Sequence, residues 1–184
     1  NKRLSNLIKK NNTLITAAPT LTTSSNNSSD ASGLYSSTAT NSGNATYYFR
    51  GNVTNNYVSF AGLKWKIIRI NEDGTVRLIL NGRIGNKFNS AYNNYTYMYY
   101  SNSDNAKPKV DSWYKTNITD KGYDSYVSSG TFCDQAKVKY SSNSTSGDAT
   151  MTVYTAYTPD FKCITDGNGK GVLNSKVGLI TYDE

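Results

Sequence analysis

The sequence predicts an α+β fold: a twisted antiparallel sheet with a central hairpin at about residues 57–80, one packed helix at about 108–119, and long loops closed by one disulfide. Three observations predict it. Apolar residues alternate through 57–80, the pattern of strands with one buried face. Val110, Trp113, Tyr114 and Ile118 fall at i, i+3, i+4 and i+8, one face of a helix. Only two cysteines are present, Cys133 and Cys163, and in a secreted chain they pair most simply with each other.

Taken in chain order, Leu4, Leu7 and Ile8 lie at helical spacing among Lys2, Arg3, Lys9 and Lys10, so residues 1–15 read as an N-terminal helix or stem. That helix either packs on its own domain or is the stub of a longer helix leading from an anchor. Residues 16–46 are dominated by Ser, Thr, Asn, Ala and Gly and read as a linker or long loop, with Leu34 and Tyr35 returning the chain to the core. Residues 47–184 read as the α+β surface domain.

Within that domain Tyr47-Tyr48-Phe49 reads as a strand, and Tyr57 to Phe60 as another, ended by a tight turn at Ala61-Gly62. In Leu63 to Ile70, Leu63, Trp65 and Ile67 share one face; Lys64, Lys66, Ile68 and Ile70 share a face that starts wet and ends buried. Asn71-Glu72-Asp73-Gly74 is a hairpin turn, with Gly74 suited to positive φ. Val76, Leu78 and Leu80 alternate on the return strand. Pro108 suits a first helical turn, which places the helix start near 108. Further on, Thr152-Val153-Tyr154 reads as a short strand, Asp166 to Gly171 as a turn, and Val177 to Ile180 as a final strand.

Composition narrows the function. Asn, Ser and Thr make up roughly a third of the chain, well above ordinary usage, and there are 16 tyrosines. Uncharged polar residues with many tyrosines favour strands, turns and wet surfaces. The net charge is +7, but the Lys and Arg residues are scattered and form no nucleic-acid module, so no nucleic-acid partner is expected. The basic excess suits a solvated surface or an anionic partner such as an acidic glycan, teichoic acid or lipid head groups. No stretch approaches the roughly 18 apolar residues of a membrane span. The chain starts at Asn1 without Met, which reads as removal of an upstream signal peptide or anchor.

No histidine is present, which removes Ser-His-Asp and Cys-His machinery and every His-containing metal site. The thirteen acids mostly stand beside Gly, Asn or Ser, where turn and capping roles explain them. No catalytic residue, metal or cofactor is therefore expected. The candidate ligand-binding residues are Tyr92, Tyr95, Tyr97, Tyr99 and Tyr100, clustered among Asn and Ser. Tyrosine offers an apolar face and a hydroxyl at low entropy cost, which suits sugar or protein recognition.

The stretch Tyr47-Tyr-Phe-Arg-Gly-Asn-Val-Thr-Asn-Asn-Tyr-Val-Ser-Phe60, followed by Trp65-Lys-Ile-Ile-Arg-Ile-Asn-Glu-Asp-Gly-Thr-Val-Arg-Leu-Ile79, resembles an uncharacterised module of surface proteins of gut Firmicutes. Val110-Asp-Ser-Trp-Tyr114, Phe132-Cys133-Asp134, Lys162-Cys163 and Gly178-Leu-Ile-Thr-x-Asp-Glu184 extend the resemblance over about residues 33–184. Such modules look C-type-lectin-like or sulfatase-modifying-factor-like. The resemblance implies an extracellular, cell-surface location. It also implies continuation past the Gly-Leu-Ile-Thr segment, so the module is expected to extend or be completed beyond Glu184. The resulting expectation is a non-enzymatic binding or adhesion module whose partner is a glycan or protein on a host or neighbouring cell. The alternative is a pilin-like subunit that self-associates into an extracellular filament. A hydrolase without histidine ranks last.

Overall fold

The structure, a computed structural model, describes residues 2–16, 32–85, 106–133, 159–163, 171–181 and 183–184. Its elements are helix α1 (Lys2–Asn11), strands β1 (Gly33–Ser37), β2 (Thr46–Arg50), β3 (Tyr57–Phe60), β4 (Leu63–Ile70) and β5 (Val76–Leu80), helix α2 (Ala106–Tyr114), and strands β6 (Gly130–Cys133) and β7 (Val172–Ser175). Strands β1 to β5 form one sheet in the order β1-β2-β4-β3, with β5 also paired to β4; β6 and β7 form a second, antiparallel sheet. The fold is α+β, with the hairpin region of the sequence at the heart of the larger sheet.

The chain divides into two compact units. The first comprises Asn1–Val58, Lys66–Ile79 and Val138–Phe161; the second comprises Ser59–Trp65, Leu80–Lys137 and Lys162–Glu184. In the first unit, β1 and β2 pair antiparallel with Leu34 opposite Phe49 and Tyr35 opposite Tyr48. Neighbouring residues of a strand point to opposite faces, and both faces of this pair are covered. Leu34 joins Ile8, Ile67 and Ile70 in one buried cluster, flanked by Leu4, Tyr47, Phe49, Val58, Val76 and Leu78. Tyr35 and Tyr48 join Phe161 in a second cluster, with Ile15 against it. The rings of Tyr35 and Tyr48 stack at 5.8 Å, and Phe161 tilts on Tyr48 at 5.2 Å. Burial raises the pKa of the Tyr48 hydroxyl, partly offset by Arg50.

Thr46 and Arg69 are paired polar groups of this core, whereas the side-chain oxygens of Asn56 and Asn71 are buried without a hydrogen-bond donor among the described residues. Thr46, fully buried, donates its hydroxyl to the Ile70 carbonyl at 2.7 Å and accepts from the Arg69 guanidinium at 3.2 Å. Arg69, itself buried, also meets Glu72 at 3.4 Å and lies over the Phe161 ring at 5.0 Å. A buried arginine is tolerated because its planar head finds a carboxylate, a hydroxyl and an aromatic face together.

Several expectations change in detail. Residues 33–37, read as part of a linker or long loop, form strand β1. Leu34 and Tyr35 do more than return the chain: they bury both faces of an edge pair, a role the surrounding Ser and Thr conceal in the sequence. The helix expected at about 108–119 begins at Ala106 and becomes π-helical over Lys115–Thr119, where the Asp120 amide donates to the Lys115 carbonyl at 2.8 Å. That wider turn keeps Ile118 buried. The last strand is Val172–Ser175 instead of Val177 to Ile180. Residues 172–175 take the antiparallel register opposite Gly130–Cys133, and 177–180 follow as irregular chain, with Gly178 against the Phe132 ring. The strand expected at 152–154 and the turn at 166–170 lie outside the described residues.

The second unit is closed by the expected disulfide, Cys133–Cys163, which links positions 30 residues apart. Beside it, Gly178 lies so close to the Phe132 ring that a Cβ at this position would come within 2.6 Å of two ring carbons. No helix among the described residues is long and apolar enough to cross a membrane.

Candidate functional site

The candidate ligand residues Tyr92, Tyr95, Tyr97, Tyr99 and Tyr100 lie outside the described residues. The second unit presents a different aromatic group, built from three short pieces of chain. The β3–β4 turn supplies Phe60 and Trp65, whose side-chain N–H donates to the Phe60 carbonyl at 3.0 Å. Helix α2 supplies Trp113. The turn after the π-helical segment supplies Tyr123.

These rings form a continuous series. Trp65 meets Trp113 edge-on with centroids 6.0 Å apart; Phe60 lies tilted 6.4 Å from Trp65; Tyr123 meets Phe60 edge-on at 5.8 Å. Offset and edge-to-face geometries are those the aromatic quadrupole favours, each worth about 0.5–1.5 kcal/mol beyond burial. The series reaches the surface at Tyr123, which is 37% exposed, and Tyr126 stands 68% exposed three residues on. Asp124–Tyr126 is a single 3-10 turn, with the Tyr126 amide donating to the Tyr123 carbonyl at 3.1 Å. Tyr123 caps this turn and Tyr126 ends it, so the two exposed rings are set one short turn apart.

Asp124 holds this turn in place. Its carboxylate accepts the Tyr114 hydroxyl at 2.8 Å and the Lys176 ammonium at 2.5 Å, and Lys176 also donates to the Asp124 carbonyl at 3.1 Å. Helix α2, the aromatic turn and the segment after β7 thus converge on one carboxylate. Lys176 first, then Tyr114, hold the Asp124 carboxyl below the usual aspartate pKa. Burial first, then the hydrogen bond to Asp124 and its charge, push the Tyr114 hydroxyl well above the ordinary tyrosine value. The pair is therefore fixed as carboxylate and phenol across the neutral range. General acid–base chemistry needs a group poised near neutrality, and neither member is. Among the described residues no group of three or more Cys, Asp or Glu is placed to hold a metal ion.

Sequence reasoning passed over Tyr123, Asp124, Tyr126 and Lys176. The available signal was Tyr123-x-x-Tyr126 in a Gly- and Ser-rich stretch, where Val127 is the one apolar neighbour and no apolar period surrounds the pair to bury it. What fold and site define is an α+β chain whose disulfide-closed unit carries a surface-reaching aromatic series. Comparison with protein-family models, with curated proteins and with solved structures finds no match.

Proposed function

We propose that this chain is an extracellular, non-enzymatic binding module of a bacterial cell-surface protein, and that the Tyr123–Tyr126 surface contacts a glycan. The observation that carries the reading is the pair of exposed tyrosines set three residues apart on a turn clamped by Asp124, Lys176 and Tyr114. Rigid aromatic faces bury the apolar face of a sugar ring at little entropic cost, and nearby carboxylate and ammonium groups meet its hydroxyls. The cysteine pair supports an oxidising compartment, because structural disulfides persist outside the cytosol. The absence of histidine and the fixed protonation of Tyr114 and Asp124 support recognition over catalysis.

The test is binding of the disulfide-intact chain to an array of glycans and extracellular matrix proteins. Retention on one glycan class, lowered at least roughly tenfold by Tyr123→Ala with Tyr126→Ala, is expected, since a stacked aromatic contributes about 1.4 kcal/mol or more. Binding to a matrix protein with the same tyrosine dependence would keep the surface and change the partner. Binding unaffected by both substitutions, or none to any glycan or protein, would remove the reading.

A further inference from the structure

The first unit carries a second surface feature, unrelated to the aromatic series. Helix α1 packs through Leu4, Ser5 and Ile8, the last two buried. Arg3, Leu7 and Lys10, at i, i+4 and i+7, share its opposite face and are exposed. Leu7 is 53% exposed between the two cations, and Leu14, just past the helix, is 38% exposed. The helix contains no acidic residue. Its end is tied to the chain before β3 by a hydrogen bond from the Asn55 side-chain amide to the Asn12 side chain at 3.0 Å. Two residues on, Tyr57 is 47% exposed, with the Lys66 ammonium over its ring at 5.3 Å. The acids nearest in sequence to β4 are committed elsewhere: Glu72 pairs with Arg69, and Asp73 accepts from the Thr75 amide and hydroxyl.

We infer that this α1 face seats the chain on an anionic lipid surface. Leu7 set between Arg3 and Lys10 on a helix without acids suits the headgroup region, with the leucine inward and the cations at the phosphates. A soluble polyanion would meet the cations but gain nothing by covering Leu7. A stable protein partner would bury about 800 Å² on each side, far more than this one short helix face supplies. The contact is peripheral and weak on its own, because each basic group near an anionic leaflet contributes only about fivefold in affinity.

The experiment is vesicle flotation of the full chain with phosphatidylcholine vesicles, with and without phosphatidylglycerol, with circular dichroism confirming that every variant is folded. Binding that requires phosphatidylglycerol is expected, and it should be lost in 1 M salt, where the Debye length falls to about 3 Å. Arg3→Gln with Lys10→Gln should weaken it by about 25-fold, and Leu7→Asn by roughly tenfold. Tyr123→Ala with Tyr126→Ala should leave it unchanged, which separates this surface from the glycan site. Failure to float, equal binding to neutral vesicles, or indifference to Leu7→Asn with competition by soluble polyphosphate would each overturn the lipid assignment.

Discussion

Asp124 joins helix α2, its own turn and the segment after β7, and its titration has a definite sign. Its folded-state pKa lies below the ordinary aspartate value, with Lys176 the main cause. Its contribution to stability is therefore fully present above about pH 4, the unfolded value, and is lost as pH falls through the lower folded one. Tyr114 acts at the other end. Its raised pKa contributes stability that is complete below about pH 10 and is lost as pH rises beyond it. We expect Asp124→Asn to flatten the acid limb of the stability profile of the second unit and to leave stability near neutrality lower. Urea unfolding of both proteins across the acid range measures this; an identical pH slope would show that the Lys176 contact contributes nothing.

Among the elements, the β3–β4 hairpin shows a local conflict between residue and geometry. Its two turn residues both have positive φ, 54° at Ala61 and 74° at Gly62, as a two-residue turn matched to strand twist requires. Glycine adopts that conformation without penalty, but alanine pays roughly 1 kcal/mol for it. Ala61→Asn, which creates the favoured Asn-Gly pair, should raise stability by about 0.5–1 kcal/mol. The thermal midpoint of the variant checks it, and a fall would mean that the Ala61 methyl makes a contact worth more than the backbone strain. This hairpin was legible in the sequence because alternation and turn chemistry agree over 57–80. The next turn agrees too: Gly74 has φ 84°, and Asp73 accepts from Thr75. Partial burial opposes ionisation of Asp73, but those hydrogen bonds outweigh it and lower its pKa. Strand β1 was not legible, because its two large residues sit among serines and its partner lies at a distance in the chain. The same limit hid the candidate site: Phe60, Trp113 and Tyr123 meet only through tertiary packing, and their spacing along the chain carries no period.

For the molecule as a whole, both buried apolar clusters belong to the first unit and the disulfide to the second. The cross-link closes a loop long enough to contribute roughly 3–4 kcal/mol on the chain-entropy account. Cys133→Ser with Cys163→Ser should lower protection from hydrogen exchange in Gly130–Cys133 and Val172–Ser175, and leave Gly33–Ser37 and Thr46–Arg50 protected as before. Uniform loss across both sets of amides would instead mark a single cooperative structure.

The edge-on indoles of Trp65 and Trp113 have a practical corollary. They are the chain's complete complement of tryptophan, and both belong to the same unit. Emission excited at the red edge of protein absorption is thus a private signal of the cross-linked unit, and a melting curve recorded that way is silent about the unit that carries α1 unless tyrosine or amide bands are followed alongside it.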